Sequence, residues 1–462
     1  MVNGLQKIKS VVVKGEAGAA ELPRVTSNGG LALAQALAQR LGLWSRVEAT
    51  LPRRKDPTQG FTMSAVVEAL VHGLLSGGHG FSATEPLRGD APLLAMLGLE
   101  RAPSAETVEE VVKYVAAQPD GVQRTNHVVS DLCASLIRRT PLRDLAACAG
   151  FVPLWTDGSL LEVEGKQFDA IKVKEGRRGQ MCVGAFCGPY VTGMDFADAG
   201  EGELTVGRAL IEEAVRRVLR PEGLMPRTLI LLDSLYGNGP TLDQLEGYRE
   251  RPAYVVGVMG LREAERTMAE LPEVVWADTG AQPVRGWEAS GVAEAWLQCA
   301  QWPIKRAMVC RRWRPRGELF WDYAAVATNL SRGDPRIAPA MAGGRSFAQV
   351  VWDLYSYKQG LENQWKDLLR DLSLHHPPCA RARVNAVFYA LAALAYNLSV
   401  GVRRLGLRGA WATMSLWRLR RDFFQLAAYA TRHARQVLMR FLDAREWLTR
   451  KLLESMERLA QL

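Results

Sequence analysis

Three acidic residues, far apart in the chain, stand in contexts that suit them to hold divalent cations. Asp157 follows the apolar run Val152 to Trp155 in FVPLWTDGS, and Asp233 follows Leu229 to Leu232 in RTLILLDSLYGNG. Each run reads as a buried strand. Each carboxylate is therefore expected at a strand end, Asp157 at a Gly-Ser turn and Asp233 before a Gly-Asn-Gly turn, exposed yet rigidly held. The third acid, Glu362, lies in YSYKQGLENQWKDLLRDL, Tyr355 to Leu372. Helical spacing puts Lys358, Glu362 and Lys366 one turn apart on one face, with Tyr355 a turn earlier, while Leu361, Trp365, Leu368 and Leu372 form a buried stripe. Carboxylate oxygens are the hard ligands that Mg2+ or Mn2+ prefers, and two such ions roughly 3.5 to 4 Å apart activate a water and stabilise a leaving phosphate oxygen. Taken singly, each aspartate is an ordinary turn residue, and Glu362 belongs to a surface helix with i,i+4 ion pairs worth a few tenths of a kcal/mol. The three together make the metal-site reading.

The order TDGS, then LLDS-x-YGNG, then Tyr355-x2-Lys358-x3-Glu362 resembles the DDE transposases of bacterial insertion sequences, the group with a Y-x2-R-x3-E-x6-K signature and a ribonuclease H-like core. Leu87 to Val108 and Val384 to Leu405 are similar to flanking segments of that group, so the resemblance spans most of the chain. Two signature positions differ: the arginine is Lys358, and the final lysine position is Leu369, with Lys366 and Arg370 nearby. Lysine cannot grip a phosphate with two parallel hydrogen bonds as arginine can. The resemblance implies a transposase in which Asp157, Asp233 and Glu362 are catalytic and bind Mg2+, with Mn2+ as a substitute. Tyr355, Lys358, Lys366 and Arg370 would contact DNA. The implied activity is cleavage at element ends and strand transfer by cut-and-paste, through a hairpin intermediate. The implied partners are double-stranded DNA, as terminal inverted repeats and as target, and a second copy of the chain in the synaptic complex. Two alternatives share these residues: a metal-dependent nuclease without strand transfer, and a non-catalytic DNA-binding protein derived from a transposase.

The rest of the chain must position these groups. At 462 residues, 48% hydrophobic and 23% charged, it is long enough for several domains and ordinary for a soluble protein. The net charge of +9 and pI near 9.2 favour a polyanionic partner. Basic residues cluster from Arg403 onward: Arg404, Arg408, Arg418, Arg420, Arg421, Arg432, Arg435, Arg440, Arg445, Arg450 and Lys451. The seven cysteines are scattered and form no C-x2-C pair, so the chain reads as reduced, without a disulfide framework or zinc site, and Cys182 and Cys187 read as strand interior. The opening residues are too polar for a signal peptide, and a cytoplasmic location, nucleoid-associated when bound to DNA, is expected. Val384 to Val402 approaches the length of a membrane span, but Asn385, Tyr389, Asn397 and Ser399 interrupt it, so a buried core helix and no membrane partner are expected.

In chain order, residues 1–27 read as a mobile basic arm carrying Lys7, Lys9 and Lys14, and 28–115 as a helical domain for binding DNA ends, with Ser104 as an N-cap. Residues 116–150 form a helical connection. From 151 to 260, strands Leu160 to Val163, Phe168 to Val173 and Met181 to Phe186, helix Leu204 to Leu219, the Asp233 strand, helix Thr241 to Arg249 and strand Ala253 to Val258 follow one another. Residues 261–332 read as a β-rich insertion with Trp276, Trp287, Trp296, Trp302, Trp313 and Trp321, rings that mostly fill its core or stack on an unpaired base. Residues 333–402 return to the core with the glutamate helix, ended by His375 and His376, and 403–462 read as a basic helical region. The expected fold is α/β: a ribonuclease H-like mixed sheet with that insertion, flanked by N-terminal and C-terminal helical regions.

Overall fold

A computed structural model describes residues 11–14, 25–53, 60–146, 149–198, 202–258, 262–299, 302–433, 436–442 and 446–462. Fourteen strands occur among them, β1 Val11–Lys14, β2 Val25–Thr26, β3 Val152–Glu162, β4 Ile171–Lys174, β5 Arg177–Cys187, β6 Tyr190–Phe196 and β7 Thr228–Leu232. They continue with β8 Ala253–Gly257, β9 Ala277–Asp278, β10 Trp287–Cys299, β11 Trp302–Pro315, β12 Asp322–Thr328, β13 Ala428–His433 and β14 Gln436–Phe441. Ten of these form one mixed sheet in the order β4-β5-β3-β7-β8-β12-β11-β10-β9, with β6 sharing the free edge of β5.

Within it, β6-β5-β3-β7-β8 is the order third, second, first, fourth, fifth, the first three antiparallel and β7 and β8 parallel to β3. This is the ribonuclease H-like arrangement expected from the alternation of strands and helices. The apolar runs explain it: Val152 to Trp155, Leu229 to Leu232 and Ala253 to Val256 are fully covered, as strands buried on both faces must be. Beyond β8, the sheet continues antiparallel into β12, β11 and β10. The tryptophan-rich segment is thus joined edge to edge with the core sheet, and it also contains a helix, Arg262–Glu270, whose apolar side is Ala264 and Met268.

Helix Ala382–Gly401 is buried except at Arg383, as the interrupted apolar stretch predicted. Its polar residues have internal partners. Asn397 donates to and accepts from the backbone of Val191 at 2.8 Å each way, and Asn126 of helix Gly121–Ile137 makes the same pair of bonds with Met194 at 2.9 Å. Two asparagines therefore satisfy the outer edge of β6, which would otherwise leave buried amides unpaired. Cys182 and Cys187 are buried in β5, as expected.

Two regions differ from the sequence reading. The stretch after Trp411 was expected to be helical throughout; it contains the β13–β14 hairpin before helix Glu446–Ala460. Ala, Arg, Leu and Met favour a helix locally, but β14 pairs with β1 and β13 with β2, and pairing with a distant segment overrides propensity. The same pairing makes Val11–Lys14 a strand rather than part of a mobile arm, while Lys7 and Lys9 lie outside the described residues, as do Arg435 and Arg445. The basic cluster is also partly internal. Arg403 is buried with its guanidinium on the Met414 carbonyl, and Arg420 donates to the carbonyls of Leu75 and Asp371 at 2.9 and 2.7 Å.

Candidate active site

The parallel register of β3 and β7 pairs Trp155 with Leu231, so Asp157 and Asp233, each two residues further on, reach the same level of the sheet. Asp233 ends its strand as expected and caps the following turn, its Oδ1 accepting from the Leu235 amide at 3.0 Å. Trp302 of β11 donates to the Gly237 carbonyl at 3.0 Å and anchors the loop that leaves Asp233. Asp157 differs from expectation, because β3 runs on through Gly158 and Ser159 instead of turning. The reason is pairing, since Gly158 lies opposite Val183 and Ser159 opposite Cys182 in β5. Glu203, the first residue of helix Glu203–Ala214, lies over Gly158 so closely that a Cβ there would come within 2.4 Å of its carboxyl carbon. Gly158 thus serves close packing within a strand.

One carboxylate oxygen from each of Asp157, Glu203 and Asp233 lies within 4.8 Å of the others. Glu203 was missed by sequence reasoning. An acid in the first turn of a helix is an ordinary partner of the helix dipole, and nothing in its spacing marks it as a ligand.

The glutamate helix, Phe347–Asp371, begins at a capping box in which Ser346 and Gln349 satisfy each other's backbone amides. It buries Leu361, Trp365, Leu368 and Leu372, the expected stripe. Trp365 fixes its rotation: the indole fills the space over Gly184, where a Cβ would lie 2.2 Å from the ring, and meets Phe186 edge-on at 5.6 Å, which in turn stacks on Trp155 at 4.2 Å. Gly184 is the strand partner of Asp157. With the helix seated there, the residues one and two turns before Trp365 face Asp157. The Lys358 ammonium stands 3.9 Å from Asp157 Oδ2 and 3.6 Å from Glu362 Oε1, with the lysine side chain only 8% exposed. Glu362 shares the cleft with both aspartates and is bridged to Asp157 by Lys358, outside the tight cluster formed with Glu203.

Tyr355 also lines this cleft. Burial first, then the charges of Asp233 and Glu362, push its hydroxyl up to about 12, so it remains a neutral donor. Lys366 is exposed a turn beyond Glu362, and the Arg370 guanidinium is paired with Asp367 and Asp371 at 2.8 and 2.9 Å. Neither is among the cleft-lining residues. His375 and His376 line a separate groove with Glu162 and Arg177.

The cleft, of about 360 Å³, is also lined by Arg285, Trp287, Arg311, Trp313 and Trp352. Trp287 and Trp313 stack at 5.2 Å, so the rings of the tryptophan-rich segment that face the acids are identified, a choice the sequence left open. Arg311 lies among these rings, and burial draws its guanidinium down to about 10, with Arg285 adding to the effect.

The donor set fits a divalent cation. All four acids offer oxygen, burial chiefly raises the carboxyls of Asp157 and Glu203 from their ordinary values, and two lysines, Lys358 and Lys174, are the cations paired with them. Among the described residues the four carboxylates share two ion-paired ammonium groups, and a hard cation suits the oxygens left unpaired.

Comparison with known proteins matches residues 206–462 to the transposase DDE domain, group 1. The matched span holds Asp233 and Glu362, while Asp157 and Glu203 precede it. Among solved structures, a piggyBac transposase synaptic complex with hairpin DNA is similar at 13% sequence identity and a TM-score of 0.41, over 86% of this chain and 80% of that chain. No curated protein matches.

Proposed function

The chain belongs to the DDE transposase family, group 1, and on that premise we propose that it cuts the ends of its own element and joins them to target DNA. The observation that carries this reading is the shared cleft: Asp157 and Asp233 at one level of the sheet, with Glu362 facing them from a helix. Asp157, Asp233 and Glu362 would hold two Mg2+ ions, Mn2+ substituting, and Glu203 lies close enough to the aspartates to join them. Bound there, the ions would prepare a water or a DNA 3′-OH for in-line attack on phosphorus and stabilise the leaving oxygen.

The remaining roles fall to the chain's own groups. Lys358 neutralises Asp157 and Glu362 and keeps the two walls together. Tyr355 offers a neutral hydroxyl donor lining the cleft. Lys366, exposed on the next turn, and Arg370 beyond it would meet flanking phosphates. The stacked Trp287 and Trp313 provide a surface for an unpaired base, which suits release of the element by cut-and-paste through a hairpin. The DNA ends would be inverted repeats bordering the gene, brought together by two copies of the chain.

The test uses a plasmid carrying the gene's own flanking sequence, with Mg2+ and with Mn2+. Asp157→Asn, Asp233→Asn and Glu362→Gln should each abolish cleavage while DNA binding persists; undiminished cleavage by Asp233→Asn would reject the assignment. Precut ends should be joined to a target plasmid in Mg2+. Cutting without joining would favour the nuclease, and neither would favour the non-catalytic DNA-binding protein.

A further inference from the structure

Lys358 occupies the signature arginine position, and its ammonium is held between two carboxylates. It is poorly placed to grip a phosphate as well. Another cation in the cleft is better placed. Arg311 of β11 is 5% exposed and lines the same cleft as Asp157 and Asp233. Its guanidinium carbon lies 4.5 Å from the Trp287 ring centre and 5.5 Å from that of Trp352, and Arg285 lies 5.1 Å from Trp287.

Its electrostatic surroundings set Arg311 apart from its strand neighbours. Arg306 is paired with Asp243 and Glu246, Arg312 with Glu273, and Arg314 with Glu288. Among the described residues, no carboxylate forms an ion pair with Arg311. Asp353, the acid that acts on it electrostatically, is paired with Arg345 at 2.7 Å. The Nε of Arg311 is buried without a hydrogen-bond partner, as are those of Arg312 and Arg314, whose terminal nitrogens are ion-paired. A buried guanidinium left without an anion is costly, and indole faces offset that cost only in part. Its planar fork of donors matches phosphate oxygens, which an ammonium group does not.

We infer that Arg311 is the phosphate-gripping residue of this cleft, binding the backbone of an unpaired nucleotide beside the carboxylates and supplying the two-pronged contact that Lys358 does not. The inference rests on the reading that the cleft takes DNA. The Trp287–Trp313 pair beside Arg311 offers ring faces to an unpaired base, so the nucleotide this part of the cleft suits is single-stranded.

The experiment compares a duplex oligonucleotide bearing a short single-stranded overhang with the blunt duplex of the same sequence, in EDTA so that no cleavage occurs. Binding is read by fluorescence anisotropy and by tryptophan quenching. Arg311→Lys keeps the charge and loses the fork, and should weaken overhang binding by about tenfold, the worth of one charge-assisted contact. Blunt-duplex binding should stay within about twofold of wild type, as expected when only contacts to the unpaired strand are lost. Arg311→Met should also make the slope of log affinity against log salt shallower by about one. Arg314→Lys, whose charge already faces Glu288, serves as the control.

If the Arg311 variants fail to fold, neutral methylphosphonate linkages placed one at a time in the overhang test the same contact in wild type. One position should cost about tenfold, again the worth of a single charge-assisted contact. Equal binding at every position, or wild-type overhang affinity in a folded Arg311→Lys, overturns the inference while leaving the transposase reading intact. Wild-type protein that binds neither DNA overturns both.

Discussion

At the scale of single residues, the cleft depends on atoms that are missing as much as on those present. Gly158 leaves room for the Glu203 carboxyl, and Gly184 leaves room for Trp365. Gly184→Ala places a methyl group inside the indole, so it should cost about 1 to 3 kcal/mol by overpacking. Because Trp365 sets the position of Glu362, cleavage should fall by more than the lost stability explains; urea unfolding and a cleavage assay on the same preparation would show it. Glu203 carries a second prediction. If it joins the aspartates around a cation, Glu203→Gln should weaken Mn2+ binding measured by calorimetry, at a pH where DNA affinity in EDTA is unchanged. Mn2+ affinity equal to wild type would assign Glu203 to packing alone.

At the scale of elements, the glutamate helix works because its two ends and its middle are fixed separately. The Ser346 capping box starts it, Trp365 sets its rotation, and at its last residue Asp371 accepts from the Trp417 amide at 3.0 Å. Ser346→Ala should lower stability by about 1 kcal/mol, the usual value of an N-cap, and its effect on cleavage should be small because the first turn lies well before Glu362. Thermal unfolding paired with cleavage rates checks both parts. The hairpin β10–β11 does the complementary work, bringing Trp287, Arg311 and Trp313 to face the acids while Trp302 holds the loop after Asp233.

At the scale of the whole molecule, the large sheet joins the carboxylates and the tryptophan wall into one continuous body, and helices from both halves of the chain cover it. One buried group there gives the fold a pH dependence. Glu68, in helix Met63–Ser76, accepts from Gln35 at 2.6 Å, and burial raises its carboxyl from 4.5 to about 8. The unfolded chain releases this proton above pH 4.5, whereas the folded protein keeps it until about 8. Its contribution to stability is therefore complete below pH 4.5 and is lost as the pH rises to about 8. The Tm should decline over that window more in wild type than in Glu68→Gln, which has no proton to lose; identical profiles would remove Glu68 from the account.

The sequence by itself determined the parts carried by near neighbours in the chain. Runs of apolar residues marked the β3 and β7 strands, three- and four-residue steps marked the stripe Leu361, Trp365, Leu368 and Leu372, and polar interruptions marked Ala382–Gly401 as a core helix. These patterns are local, since strand and helix periodicity constrain only adjacent residues. Tertiary structure alone decided that β3 continues past Asp157, that Glu203 stands beside the aspartates, that Arg311 lines the cleft with no ion-paired acid among the described residues, and that β13 and β14 are strands. Each of these depends on which distant segments meet, and the identity of a residue does not record what packs against it.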